Sequence, residues 1–92
     1  MSARDELTKC RDEIAAIDNE IVQLLKKRLE IALRTGPLKR ELGIPILDPS
    51  REATVIRTAV ESARELGLPD EDVRDIFWHI LKLSRTAQQE EK

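Results

Sequence analysis

The sequence predicts an all-α fold of three helices, one long and two shorter. Three observations point there. Aromatic residues are 2% of the chain and charged residues 37%, a balance found in helical bundles and coiled coils. Apolar residues recur at alternating spacings of three and four from Leu7 to Leu24, the signature of a helix seated on another helix. The three Gly and four Pro gather at Gly36-Pro37, from Gly43 to Pro49, and at Gly67-Leu68-Pro69, which divides the chain into three pieces.

The first helix is predicted over residues 5 to 35 or beyond. Leu7, Cys10, Ile14, Ile17, Ile21 and Leu24 form its seam. Continued, the same seam runs through Arg28, Ile31, Thr35 and Leu38, so two polar residues stand where apolar ones are expected. The second helix starts at Asp48-Pro49, because Asp is a favoured N-cap and Pro a favoured first residue. Its stripe is Val55, Ile56, Ala59, Val60, Ala63 and Leu66, with Gly67 as a left-handed cap. The third helix opens at Pro69, with Asp70, Glu71 and Asp72 in the first turn, where the helix dipole favours negative charge. Val73, Ile76, Phe77, Ile80 and Leu81 are its stripe, and the next residues on that face are Ser84 and Gln88. The stripe turns polar where a buried face should continue.

At about 1.5 Å per residue the first helix is roughly 45 Å long and the others about half that. Two short helices cannot cover the long seam. The expected remedy is the same helix of a second copy, giving an intertwined homodimer. A domain of 92 residues is small enough for oligomerisation to be a common source of stability.

The totals narrow the function. The net charge is −2, so no basic excess suggests a nucleic-acid partner. Cys10 is the one cysteine, which leaves no intrachain disulfide and no cysteine-based zinc site. There is no apolar leader at the N-terminus and no stretch approaching 18 apolar residues, so a soluble, cytoplasmic protein without membrane contact is expected. The 92 residues read as one domain, 1–92, of a monofunctional protein.

One constellation is cationic. Arg28 and Lys39 are 11 residues apart, close to three turns, and share a face at roughly 16 Å separation. Two long side chains reaching toward each other can hold a small anion between them. Arg11 lies about 25 Å from Arg28 along the helix, too far to join that site within one chain. It could join the site of a second copy packed antiparallel, which gives two shared sites per dimer. Each residue also has a plainer reading: Arg11 and Lys39 as solvated surface cations, Asp48 as a helix cap, Arg51 and Glu52 as first-turn residues, Ser84 and Gln88 as a fraying end. Arg28 resists that reading most, since a charge in an apolar seam is costly unless paired.

Together these pieces resemble the all-helical chorismate mutase family. The first helix carries R-D-E-I-A-A-I-D-N-E-I-V-Q-L-L-K-K-R at residues 11–28, similar to the family's Arg, then Ile-Asp, then Leu-Leu-x-x-Arg. Lys39 follows, then G-I-P-I-L-D-P-S-R-E at residues 43–52, and finally Ser84 with Gln88. The likeness extends from about residue 7 to 88, and its most specific element is D-P-x-R-E after G-I-P-I.

The resemblance implies a three-helix chain in an intertwined dimer that rearranges chorismate to prephenate, in aromatic amino acid biosynthesis, without metal or cofactor. Arg28 and Lys39 of one chain and Arg11 of the other would bind the substrate, the two arginines holding its carboxylates through the guanidinium fork. Lys39 and Gln88 would face the ether oxygen whose bond breaks. Glu52 would accept the hydrogen bond of the ring hydroxyl, Asp48 and Arg51 would order the loop and helix start around it, and Ser84 would assist at a carboxylate. Leu81 and Thr35 belong to the same pocket wall. His79, the single histidine, reads as a structural or surface residue.

The sequence departs from the family at Gly36-Pro37, where the long helix normally continues to the lysine. Proline in a helix interior costs about 3 kcal/mol and Gly36 about 1 kcal/mol relative to Ala. The helix either kinks here or stops near Thr35 and restarts at Pro37. Thr35 and Arg85 stand where the family often has apolar residues: Thr35 either lends its hydroxyl or packs its methyl, and Arg85 is read as solvent-facing. Competing functions are an isochorismate pyruvate lyase on the same fold, a non-catalytic helical dimerisation or regulatory module, and one domain of a bifunctional enzyme. Glu52 together with Gln88 favours the mutase over the lyase.

Overall fold

In the computed structural model, which describes residues 2–90, the chain is three α-helices: α1 over Ala3–Leu42, α2 over Pro49–Glu65 and α3 over Asp70–Glu90. Each boundary has a local cause. Ser2 caps α1, its side chain accepting from the Asp5 N–H at 3.1 Å. Gly43 ends α1 at φ 69°. There Gly43 N–H donates to the Arg40 carbonyl and Ile44 N–H to the Lys39 carbonyl, the Schellman closure that a left-handed residue allows. Asp48 caps α2 through the Arg51 N–H at 3.1 Å, with Pro49 behind it at the first helical position. Gly67, at φ 73°, repeats the Schellman closure after α2, Leu68 N–H reaching the Ala63 carbonyl at 2.8 Å. Arg64 Nε and the Asp70 carboxylate, 2.6 Å apart, then tie the end of α2 to the start of α3. That carboxylate holds the Arg64 guanidinium above its ordinary pKa.

The Gly36-Pro37 pair does not stop the first helix. α1 continues through both residues for 40 residues in all, so the version that ends near Thr35 is corrected, as is the estimate of length. At about 1.5 Å per residue, 40 residues make about 60 Å, which accounts for the 61 Å long axis of the molecule. Pro37 has no N–H for the Leu33 carbonyl. In the turn just before it, the Ala32 carbonyl draws two side-chain donors, Thr35 Oγ1 at 2.7 Å and Gln88 Nε2 at 2.6 Å.

α3 packs on both α2 and α1, whereas α1 and α2 do not pack on each other. The core is correspondingly small. Ile56, Val60 and Leu81 are buried together, with Val55 and Phe77 against them, and Ala59 and Ala63 let α2 lie close. Two members of the expected stripes fall outside it: Leu66 is 75% exposed and Ile76 55%. Leu66 is the residue at which α2 closes, and Ile76 sits on the side of α3 away from Leu81.

The predicted seam of α1 is bare. Leu7, Ile14, Ile17, Ile21, Leu24 and Ile31 each keep about half of their surface exposed, and Cys10 is exposed as well. Roughly the first two dozen residues of α1 have nothing from α2 or α3 against them, as every residue from Ser2 to Leu24 is exposed. No helix among the described residues is long and apolar enough to cross a membrane.

Candidate active site: a cationic cavity at the C-terminal half of α1

Where α1, the loop after it, the start of α2 and the end of α3 meet, they enclose a cavity of about 310 Å³, at the lower end of the usual range for small-molecule sites. Its wall contains Arg28, Thr35, Lys39, Asp48, Arg51, Glu52, Leu81, Ser84 and Gln88. These are the candidate residues singled out above, with one exception. Arg11 is exposed on the bare part of α1 and takes no part in the cavity.

Helical spacing explains most of the wall. From α1, Arg28, Ile31, Ala32, Thr35 and Lys39 follow i, i+3, i+4, i+7, i+11 and present one face. Arg28 is half-buried and its Nη1 donates to Ser84 Oγ at 2.9 Å. A guanidinium has five N–H donors, so most remain for an anion. Ser84, itself 9% exposed, keeps its hydroxyl proton for a second acceptor. Lys39 Nζ donates to the Ile46 carbonyl at 3.2 Å, which anchors the loop across the site and leaves two ammonium protons free.

From α3, Leu81, Ser84, Arg85 and Gln88 follow i, i+3, i+4, i+7. Gln88 is buried at 7% exposure. Its Nε2 donates to the Ala32 carbonyl at 2.6 Å and to Thr35 Oγ1 at 2.9 Å. Both amide protons are therefore held by α1. Thr35 lends its hydroxyl rather than only its methyl: it donates to the Ala32 carbonyl and accepts from Gln88. The polar end of the α3 stripe is thus a buried, hydrogen-bonded surface and not a fraying terminus. His79 is exposed.

From α2, Asp48 both caps the helix and lines the cavity, and Arg51 and Glu52 follow in the first turn. Glu52 is paired. Arg85 Nη1 lies 2.9 Å from each of its carboxylate oxygens, and the side chains are 30% and 13% exposed respectively. This corrects the solvent-facing reading of Arg85. Spacing puts residue 85 on the same helical face as 81, 84 and 88, but it does not tell a paired arginine from a solvated one.

The arrangement suits an organic anion. Arg28, Lys39, Arg51 and Arg85 face Asp48 and Glu52, and both carboxylates already have protein donors. Among the described residues no cluster of His, Cys, Asp and Glu has the make-up of a metal site.

The chain is similar to known proteins. Residues 10–89 match the family described as chorismate mutase type II. A T-protein from Enterobacter agglomerans is 35% identical over 90% of this chain, but the chain spans only 22% of that protein's length. A chorismate mutase from Methanocaldococcus jannaschii is 28% identical and is covered nearly end to end, over 94% of this chain and 87% of that one. Among solved structures, a conserved hypothetical protein from Pyrococcus furiosus superposes with a TM-score of 0.74 at 42% identity, over 96% of this chain and 99% of its own. The matched span takes in every residue of the cavity wall, and on that basis the chain belongs to the type II chorismate mutase family.

Proposed function

We propose that this chain is a chorismate mutase, converting chorismate to prephenate by an intramolecular rearrangement, in sites shared between the two chains of an antiparallel homodimer. The observation that carries the reading is the cavity itself: cations from α1 and α2 and a buried amide from α3 surround a space of about 310 Å³, beside an apolar α1 seam left open.

The chemistry asks for little else. A pericyclic rearrangement has no nucleophile and no redox step. The protein must fold a flexible dianion so that its two reacting carbons meet, and stabilise charge growing on the ether oxygen. Arg28, held by Ser84, takes one carboxylate. Arg11 of the second chain takes the other, because antiparallel pairing brings the far end of α1 to this cavity. Lys39 offers its two free protons to the ether oxygen. Gln88 joins it by turning one N–H from Thr35 toward the substrate, with the other kept on Ala32. Glu52 has about four acceptor positions; Arg85 occupies part of them, and the ring hydroxyl donates to the rest. Leu81 supplies an apolar wall, and Asp48 and Arg51 hold the α2 start in place.

The direct test is to supply purified protein with chorismate and follow its loss together with prephenate formation. Isochorismate is supplied in parallel. Pyruvate release from isochorismate without prephenate from chorismate would replace the mutase by a lyase, and no turnover of either would leave a binding or dimerisation module.

A further inference from the structure

Arg85, unlike its partner Glu52, has no role of its own in the reading above. Glu52 is the one cavity carboxylate not spent on capping a helix, since Asp48 accepts the Arg51 N–H. An unpaired carboxylate on a pocket wall would attract any donor, and a cationic one most. Here Arg85 places a guanidinium nitrogen 2.9 Å from both Glu52 oxygens. The carboxylate therefore faces the cavity as half of an ion pair, with a fixed positive charge beside it. Both side chains line the cavity and are largely withdrawn from solvent, so screening is weaker than for a surface pair.

We propose that Arg85 is a specificity-determining residue, which sets the cavity to accept a neutral hydroxyl at the ring position facing Glu52 and to reject an amine there. This rests on the mutase reading, with Glu52 toward the ring. A hydroxyl needs only an acceptor lone pair, which Glu52 retains. An aliphatic amine is protonated at neutral pH, and its ammonium would have to sit beside the Arg85 guanidinium. The cost of that like-charge contact is how a site discriminates against an isosteric competitor. Arg28, Lys39 and Arg51 on the other walls add further positive charge, and the remaining cavity carboxylate, Asp48, is turned to the α2 N-terminus, where it accepts the Arg51 N–H.

The test compares kcat/KM for chorismate with that for its analogue bearing an amine in place of the ring hydroxyl, in the natural protein, Arg85→Met, Arg85→Gln and Arg85→Lys. The natural protein is expected to favour the hydroxyl compound. Met and Gln remove the charge and should shift the ratio roughly tenfold or more toward the amine, mostly through KM. Lys keeps the charge and should restore the natural ratio. A merely structural role for Arg85 would lower both activities in step and leave the ratio fixed. The two neutral variants differ in polarity, so folding failure of one leaves the other to report. A ratio unmoved by loss of the charge, in a protein that converts chorismate, overturns this inference alone. A natural protein that converts neither compound overturns the mutase reading and this inference with it.

Discussion

Lys39 and Gln88 reach the same cavity from different helices, and they differ in how much they have left to give. Lys39 spends one proton on Ile46, whereas Gln88 has both amide protons engaged. Under the proposed mutase reaction, Lys39 is thus the readier donor to the ether oxygen as it gains charge. Removing one such donor typically costs about 2.7–4 kcal/mol of transition-state stabilisation. Lys39→Ala should accordingly lower kcat by roughly a hundred- to a thousandfold with a much smaller change in KM, and an unchanged kcat would remove Lys39 from the chemistry. Ser84 acts one step back. It orients Arg28 through a 2.9 Å bond, so Ser84→Ala should raise KM by about tenfold, the scale of a hydrogen bond to a charged group, with little effect on kcat. Steady-state kinetics on each variant separates the two roles. Ser84 and Gln88 were legible in the sequence because a polar residue on a buried face demands partners. Arg85 was not, because an arginine on a helix is as well served by solvent as by a carboxylate, and its partner Glu52 lies 33 residues away in sequence.

At the level of elements, capping residues foretold the boundaries well. Asp48-Pro49 and Gly67 stand where α2 starts and closes. Gly36-Pro37 left continuation and a stop near Thr35 both open, since local propensity disfavours a helix there by a few kcal/mol; α1 runs on to Leu42. Tertiary contacts explain the override. Gln88 from α3 bonds the Ala32 carbonyl five residues before the proline, Lys39 two residues after it bonds the loop, and Gly43 closes the end. The backbone hydrogen bond that Pro37 cannot donate stays lost, however. Pro37→Ala restores an N–H and relieves the ring clash, while making the unfolded chain less restricted. The balance is a gain of about 2 kcal/mol, measured as a higher urea midpoint at fixed protein concentration. An unchanged or lower midpoint would mean that the proline sits in α1 without cost.

At the scale of the molecule, the chain is 61 Å long, with α1 as its rod-like axis and a small core formed by α2 and α3. Its sequence announced that shape through a seam longer than two short helices can cover. What periodicity alone left open was where each end of the seam goes, because a heptad pattern is equally served by any long apolar helix. Arg11 makes the question functional. It stands about 25 Å from Arg28 along α1, and a cavity that lacks it has one guanidinium fewer for a dianion. If two copies run antiparallel, each cavity pairs Arg28 of one chain with Arg11 of the other. Arg11→Ala and Arg28→Ala should each abolish most activity. Mixing the two by denaturation and refolding should then restore about a quarter of natural activity, because half of the dimers are mixed and each mixed dimer holds one complete site of two. A refolded mixture that contains mixed dimers, seen by native mass spectrometry, and is no more active than its parents would contradict the shared site.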